Sequence, residues 1–197
     1  MLLAAAGTAQ AGRYRVDLIL FADKTGVADE SPLALQVPNV KGALEPYDAT
    51  ALRAAGIEML PEEQFGLGEA WAHLRNSRNH QPLLRLSWLQ KDPPADRGIA
   101  LHLHYGTALT SNTDAGSTAV YPVDGTVALL AGRFLHVDAD LVSTQVTGSG
   151  NLVSYRLREK RRVKRDELHH LDGAKLGVLV QVTRVDVAPK PAKKKKK

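Results

Sequence analysis

The sequence contains no cysteine, and this absence excludes two kinds of chemistry. No disulfide can stabilise the fold, and no thiolate can act as a nucleophile or a metal ligand. Aromatic residues make up only 5% of the chain. No apolar run comes near the roughly 20 residues that a membrane-spanning helix needs. We therefore expect a protein without a membrane span, whose core forms without cross-links.

The common enzyme motifs are missing as well. There is no G-x-S-x-G nucleophile turn and no phosphate-binding loop. Gly66 and Gly68 begin a dinucleotide-like pattern, but Trp71 stands where that pattern requires glycine. Asp138 and Asp140 form a carboxylate pair, yet nothing in the sequence places them across a cleft. The sequence predicts a protein that is not an enzyme and that uses no cofactor.

Histidine gives no recognised metal site. His102 and His104 lie two residues apart and would share one face of a strand. A metal would need a third ligand, and no HExxH motif or Cys/His set supplies one at a known spacing. We expect no bound metal.

The positive charge is local rather than general. The chain of 197 residues has a net charge of +5. Six lysines lie in the final PKPAKKKKK, and Arg156 to Arg165 carries seven Lys or Arg against one acid, Glu159. Because the tail contributes six positive charges and the basic segment a net six, the rest of the chain has a net charge of −7.

The basic segment predicts an exposed cationic strand. At a period of two residues, Leu157, Glu159, Arg161 and Val163 share one face, which we expect to be drawn towards the core. The other face carries five cations: Arg156, Arg158, Lys160, Arg162 and Lys164. This face could bind an anionic ligand, since guanidinium groups bind carboxylates and phosphates in a bidentate manner. The alternative is a solvated surface that pairs with acids such as Asp138 and Asp140.

Two further elements follow the cationic strand. Asp166 is a candidate N-cap for a single helical turn that would end at Gly173. The β-branched residues from Leu176 to Val187 predict a strand that is buried on both faces.

Earlier segments predict helices first and strands later. We expect strands at Tyr14–Phe21, Pro82–Gln90, Gly98–Tyr105 and Thr126–Leu141, helices at Asp48–Ala55 and Glu62–Ser77, and loops at Asp23–Glu45 and Thr107–Ala119. A turn at Thr147–Asn151 would pair the basic strand with the one before it. The sum is an α+β fold: a single domain with a mostly antiparallel sheet of about six strands and two or three helices.

The ends of the chain indicate export. Residues 1–11 have the character of a signal-peptide remnant, because Ala9-Gln10-Ala11 has the small-x-small form of a cleavage site. The mature chain would begin at Gly12, residues 12–188 would form the single domain, and 189–197 a disordered lysine-rich tail. The rival interpretation is a cytosolic nucleic-acid-binding protein that uses the basic strand and the tail. The absence of aromatic residues among the cations disfavours it.

Several segments together resemble a known family. The start YxVDxxxF is met by Tyr14, Val16, Asp17 and Phe21, a segment similar to pLLxxxWxQ by Pro82 to Gln90, and RFLHVDADL by Arg133 to Leu141. The closing stretch is similar to L-x-E-x-R-R-M-x-S-x-E-L-H-Y-L-D-H-P-x-F-G-V-L-V. It is matched at Leu157, Glu159, Arg161, Arg162, Glu167, Leu168, His169, Leu171, Asp172, Gly177, Val178, Leu179 and Val180. The chain departs from the pattern at Arg85, His170 and Gly173-Ala174.

The family that these segments resemble is the CsiV-type periplasmic peptidoglycan-binding proteins of Gram-negative bacteria. The resemblance implies a non-enzymatic periplasmic protein that binds peptidoglycan. It also implies support of a class A penicillin-binding protein through that synthase's outer-membrane lipoprotein activator. We expect Arg158, Lys160 and Arg162 to contact wall carboxylates and Arg161 to be structural. The full set of candidate ligand-binding residues is Arg158, Lys160, Arg161, Arg162, Arg165, His169, His170 and Asp172.

Overall fold

Two antiparallel sheets of five strands each form the body of the protein. The computed structural model describes residues 12–25, 32–113 and 116–185. The first sheet contains β1 (Arg13–Asp23), β3 (Ile57–Met59), β4 (His80–Lys91), β11 (Leu168–Asp172) and β12 (Leu176–Val185). The second contains β2 (Leu33–Ala34), β5 (Ala100–Tyr105), β8 (Val123–Ala131), β9 (Leu135–Val146) and β10 (Leu152–Val163). A separate hairpin pairs β6 (Leu109–Thr113) with β7 (Gly116–Val120).

The chain order within the sheets places the long strands at their centres. The first sheet runs β11-β12-β1-β4-β3 and the second runs β2-β10-β9-β8-β5. Two helices, α1 (Ala49–Ala54) and α2 (Gly68–Arg75), and a 3₁₀ helix at Glu62–Gln64 lie between β2 and β4 in the chain. Asp48 caps α1 by accepting hydrogen bonds from the backbone N–H groups of Thr50 and Ala51.

The main core lies between the two sheets. Val16, Leu18 and Trp88 of the first sheet share one buried cluster with Val137 and Leu141 of the second. Because each strand alternates its side chains, each sheet presents one apolar face to the other. Burial of both faces at once is what holds the two sheets together.

A second, smaller cluster covers the outer face of the first sheet. Ile19 and Phe21 of β1 pack there against Leu67 and Leu74, and the partly buried Trp71 joins them. β1 is therefore buried on both faces, which explains its nearly continuous apolar sequence.

Several expected elements are confirmed. β1, β4, β5, β10 and β12 occupy the segments predicted as strands, and the sheets are mostly antiparallel. α1 begins after the expected cap. The segment expected as one helix from Glu62 to Ser77 is instead a 3₁₀ helix and α2, separated at Phe65 to Leu67. Gly66 and Gly68 favour this interruption, since glycine is costly inside a helix.

The predicted number of strands was wrong. The described residues form twelve strands in three sheets, not about six. The segment Thr126–Leu141 is two strands, β8 and β9, with a reversal between Ala131 and Leu135. Thr107–Ala119, expected as a loop, contains the β6–β7 hairpin. Residues 1–11, expected to be a signal-peptide remnant, and residues 189–197, expected to be a disordered tail, lie outside the described residues.

The expected helical turn after the basic strand was also wrong. Leu168–Asp172 is a strand, β11, that pairs with β12 over five residues. Asp166 does not cap a helix. It sits at φ +63° in the tight turn between β10 and β11, and its N–H donates to the carbonyl of Val182. Long-range pairing with β12 overrides the local helical preference.

Candidate functional site

The cationic strand of the sequence is β10, and it has the expected two faces. Leu157 and Val163 are each 3% exposed and belong to the main core. Arg158, Lys160 and Arg162 point away from the core and are exposed. Alternation along a strand that borders the core produces this division.

Part of the cationic face is neutralised by the neighbouring strand. β9 places Asp140 opposite Arg158 and Asp138 opposite Lys160. Arg156 donates two hydrogen bonds of 2.7 Å to Asp140, and these bonds raise the pKa of Arg156 above its ordinary value. Arg158, whose side chain is 74% exposed, reaches the same carboxylate at 3.8 Å. This half of the strand matches the interpretation of a surface paired with acids.

Arg161 lies on the opposite face and pairs with Glu159 at 2.6 Å. The pair is not deeply buried, however, because the two side chains are 42% and 28% exposed. An ion pair this accessible to water contributes less than a buried one.

Most of the cations towards the end of β10 lack such partners among the described residues. Within the described part of the chain, Lys160, Arg162 and Arg165 make no ion pair, and neither does Arg133 on the turn between β8 and β9. Lys164 contacts Glu167 at 3.3 Å in an exposed pair. Unpaired positive charge is thus concentrated where β10 ends.

Three of these cations, Arg133, Arg162 and Arg165, line a groove built on an exposed aromatic ring. The guanidinium carbon of Arg162 lies 3.4 Å from the centroid of the Phe134 ring, and that of Arg133 lies 5.3 Å from it. Phe134 is 38% exposed. We call this 490 Å³ cavity the arginine groove. Its lining residues are Arg133, Phe134, Leu135, Arg162, Val163, Lys164, Arg165, Asp166 and Glu167.

Two turns bring these residues together. Val163, at the end of β10, pairs with Leu135, at the start of β9. The turn before β9 and the turn after β10 therefore lie side by side at one end of the second sheet. The left-handed backbone at Asp166 keeps the second turn short.

The stacked arrangement suits an anionic ligand. A guanidinium that lies flat on an aromatic ring keeps its N–H groups free at its edge. Those groups can bind a carboxylate or phosphate in a bidentate manner, and the ring restricts the motion of the side chain beforehand. Four cations against two acids give the groove a net positive charge.

The eight candidate residues fall into separate places. Arg162 and Arg165 line the groove, and His169 lies beside it, accepting a 2.9 Å hydrogen bond from the N–H of Lys164. Arg158, Lys160 and Arg161 lie along β10.

His170 and Asp172 lie elsewhere, on the outer face of the first sheet. His170 stacks on Phe21 at 5.6 Å, within the environment of the second apolar cluster. Its Nε2 is 3.7 Å from the Asp172 carboxylate. Of the two neighbouring histidines, His169 makes a local hydrogen bond and lies near the groove, whereas the distance from His170 to Asp172 is too long for a hydrogen bond.

Sequence reasoning missed Arg133 and Phe134 as site residues. The sequence from Arg133 to Leu141 alternates, and this alternation puts Phe134 on the outer face, so an outward aromatic residue near cations was the available signal. No aromatic residue lies between the cations along β10 itself. Phe134, from the adjacent turn, nevertheless lies next to Arg162 in space.

In the other histidine pair, His102 and His104, it is His102 that makes a structural contact. His102 lies between two carboxylates, with Nδ1 2.5 Å from Glu45 and Nε2 2.7 Å from Asp124. Burial opposes protonation, but the hydrogen bonds to the two carboxylates outweigh it and raise the pKa of His102. The described residues contain no group of three or more His, Cys, Asp or Glu arranged to hold a metal. Nor does any helix among them have the length and apolar character to cross a membrane.

Comparison with known proteins identifies the family. Neither the curated proteins nor the solved structures contain a match to this chain. A family model described as "Peptidoglycan-binding protein, CsiV" matches residues 1–185. The match includes both sheets and the arginine groove. The chain therefore belongs to the CsiV family of peptidoglycan-binding proteins.

Proposed function

We propose that this chain binds peptidoglycan through the arginine groove and the adjoining unpaired cations of β10. The observation that carries the proposal is the concentration of three arginines around Phe134, none of them in an ion pair with a described residue, in a member of a peptidoglycan-binding family. Stem peptides of peptidoglycan carry free carboxylates, the ligand class that suits a stacked guanidinium. The Phe134 ring adds an apolar surface beside the charges.

We propose that the protein acts in the periplasm as a binding protein without catalytic activity. There it would support wall synthesis by a class A penicillin-binding protein through that enzyme's outer-membrane lipoprotein activator. The groove supports a binding role, because it brings together cations and an aromatic ring rather than a nucleophile held by a base.

Sedimentation with purified peptidoglycan sacculi tests the site. The double variant Arg162→Glu/Arg165→Glu should bind at least about tenfold more weakly, a loss of about 1.4 kcal/mol. The matched control is Arg78→Glu/Arg97→Glu, which makes the same charge change at exposed positions outside the groove. Binding of the wild type should weaken with added salt, since exposed charges are screened.

The outcome separates the proposal from its rivals. A folded groove variant that sediments like the wild type would overturn the site. If both double variants lose the same amount of binding to sacculi, the protein is attracted non-specifically by its net charge. Single-stranded DNA in a parallel binding assay tests the nucleic-acid alternative, which predicts tight binding that the groove variant loses.

A further inference from the structure

Among the described residues, few pair with the outer edge of β10. One side of the strand pairs with β9 along its whole length. On the other side, β2 pairs with Val153 and Ser154 alone. From Tyr155 to Val163 the described residues provide no further backbone hydrogen bond on that side. Because backbone groups alternate in direction, about half of these residues present at the edge N–H and C=O groups with which no described residue pairs.

The cations at this edge disfavour one possible occupant. A second copy of the chain would bring two rows of Arg and Lys together, and charges of like sign across a strand pair repel. Charged side chains at sheet edges are a known protection against such self-pairing. The edge is therefore poorly suited to form a dimer.

The same cations favour an acidic occupant. On the paired side, β9 places Asp138 and Asp140 across from Lys160 and Arg158. A strand added on the free side would place its own side chains at the equivalent cross-strand positions. Lys160 and Arg162 have no acid partner among the described residues, so acids arriving from that side would meet unpaired cations.

We propose that the free edge of β10 binds an extended acidic segment of a protein partner as an added strand. The partner's backbone would satisfy the free edge groups, and its alternate Asp or Glu side chains would pair with Arg158, Lys160 and Arg162. This inference rests on the part of the proposed function that gives the chain a protein partner. Its backbone contacts lie along the edge of β10, whereas wall binding depends on side chains of the groove, and Arg162 belongs to both sites.

The probe is a capped nine-residue peptide in which glutamate alternates with valine. Two control peptides accompany it. One replaces every glutamate with lysine, and the other carries N-methyl groups on its four central residues, which blocks both edges of the peptide backbone but keeps its charge. The readout is amide hydrogen exchange in the full-length protein, followed residue by residue by NMR.

The glutamate peptide should protect alternate amides between Tyr155 and Val163, and neither control should do so. Lys160→Glu should weaken binding of the glutamate peptide by about tenfold, since it places an acid opposite acids. A normal amide spectrum of that variant shows that the fold is intact.

Three results would overturn the inference. They are equal binding of the N-methylated peptide, protection confined to the turns of the groove, and self-association of the protein through β10. The two proposals fail separately. If sacculi still bind through Arg162 and Arg165 while β10 gains no protection, the strand-edge inference alone is lost. If β10 is protected but the groove variant still sediments, the wall site alone is lost.

Discussion

Arg161 illustrates how the exposure of an ion pair to water determines its contribution to the stability of the fold. Sequence alternation placed it on the core-facing side, where loss of a buried partner would cost a few kcal/mol. Since both it and Glu159 remain partly exposed, we expect Arg161→Ala to lower the free energy of unfolding by only about 0.5–1 kcal/mol. Urea denaturation measures this. A loss above about 3 kcal/mol would show that the pair is effectively buried.

Asp17 is the residue whose charge should matter most for stability. Its carboxylate is 4% exposed and accepts hydrogen bonds from Arg15, Ser87 and the N–H of Gly66. These contacts attach the segment before α2 to β1. We expect Asp17→Asn to destabilise the protein by about 3 kcal/mol, because it leaves Arg15 without its partner. Asp138→Asn is the control in urea denaturation, since Asp138 makes no ion pair among the described residues.

The same carboxylate predicts a dependence on acid. Burial raises the pKa of Asp17, but hydrogen bonds from Arg15, Ser87 and Gly66 lower it further, so the net shift is downward. A lowered pKa stabilises the fold above the unfolded value of about 3.9, and that stability is lost as the pH falls through the folded pKa. The wild type should therefore lose more stability than Asp17→Asn as the pH is lowered below about 4. If the free energy of unfolding decreases equally with falling pH in the two proteins, this prediction is wrong.

His102 should produce the opposite dependence. Its raised pKa means that its contribution is fully present below the unfolded value of about 6.5 and is lost as the pH rises through the folded pKa. The free energy of unfolding should fall over that range, and His102→Gln should remove this fall. His104→Gln is the control. His104 stacks on Tyr121 at 4.4 Å and makes no ion pair with a described residue, whereas His102 lies between two carboxylates. If the free energy of unfolding of His102→Gln still falls with rising pH as in the wild type, another group causes the fall.

At the scale of elements, Gly177 shows how closely β12 packs on β1. A methyl group at Gly177 would overlap the ring of Phe21. That ring is held between His80, 5.3 Å away, and His170, so it cannot turn aside freely. We expect Gly177→Ala to cost about 2 kcal/mol or more in urea denaturation.

Two variants check the cause of that loss. Gly148→Ala should have little effect, because nothing lies within 4 Å of a methyl group there. Phe21→Leu combined with Gly177→Ala should recover part of the stability lost in the glycine variant. If the double variant shows the full sum of both losses, the contact with the ring is not responsible.

Elements with a strong local signal were predicted well. β1 is nearly continuous in apolar residues, β5 alternates, and Asp48 caps α1, so each is specified by its own residues. β11 and the β6–β7 hairpin were missed because their strand form depends on pairing with distant or polar partners. The reversal between β8 and β9 at Gly132 was hidden by the apolar residues on both sides.

At the scale of the whole molecule, only part of the geometry of the candidate site could be predicted from the sequence. The charges of β10 and their acid partners on β9 follow from alternation and the turn between the strands. The groove does not, because it requires that the turn carrying Phe134 lies beside the end of β10. That proximity is set by the register between the strands, which no local pattern specifies.

The shared core predicts that both sheets unfold together. Trp88 of the first sheet packs in one cluster with Val127 and Val137 of the second, so neither sheet can bury its apolar face alone. Of the two tryptophans, Trp71 lies on the outer face. Trp71→Phe therefore leaves Trp88 as a fluorescent probe of the first sheet, while amide NMR signals of β8 and β9 report on the second. The two urea transitions should have the same midpoint and slope. A second sheet that loses its signals at lower urea than Trp88 would show that the sheets are separate folding units.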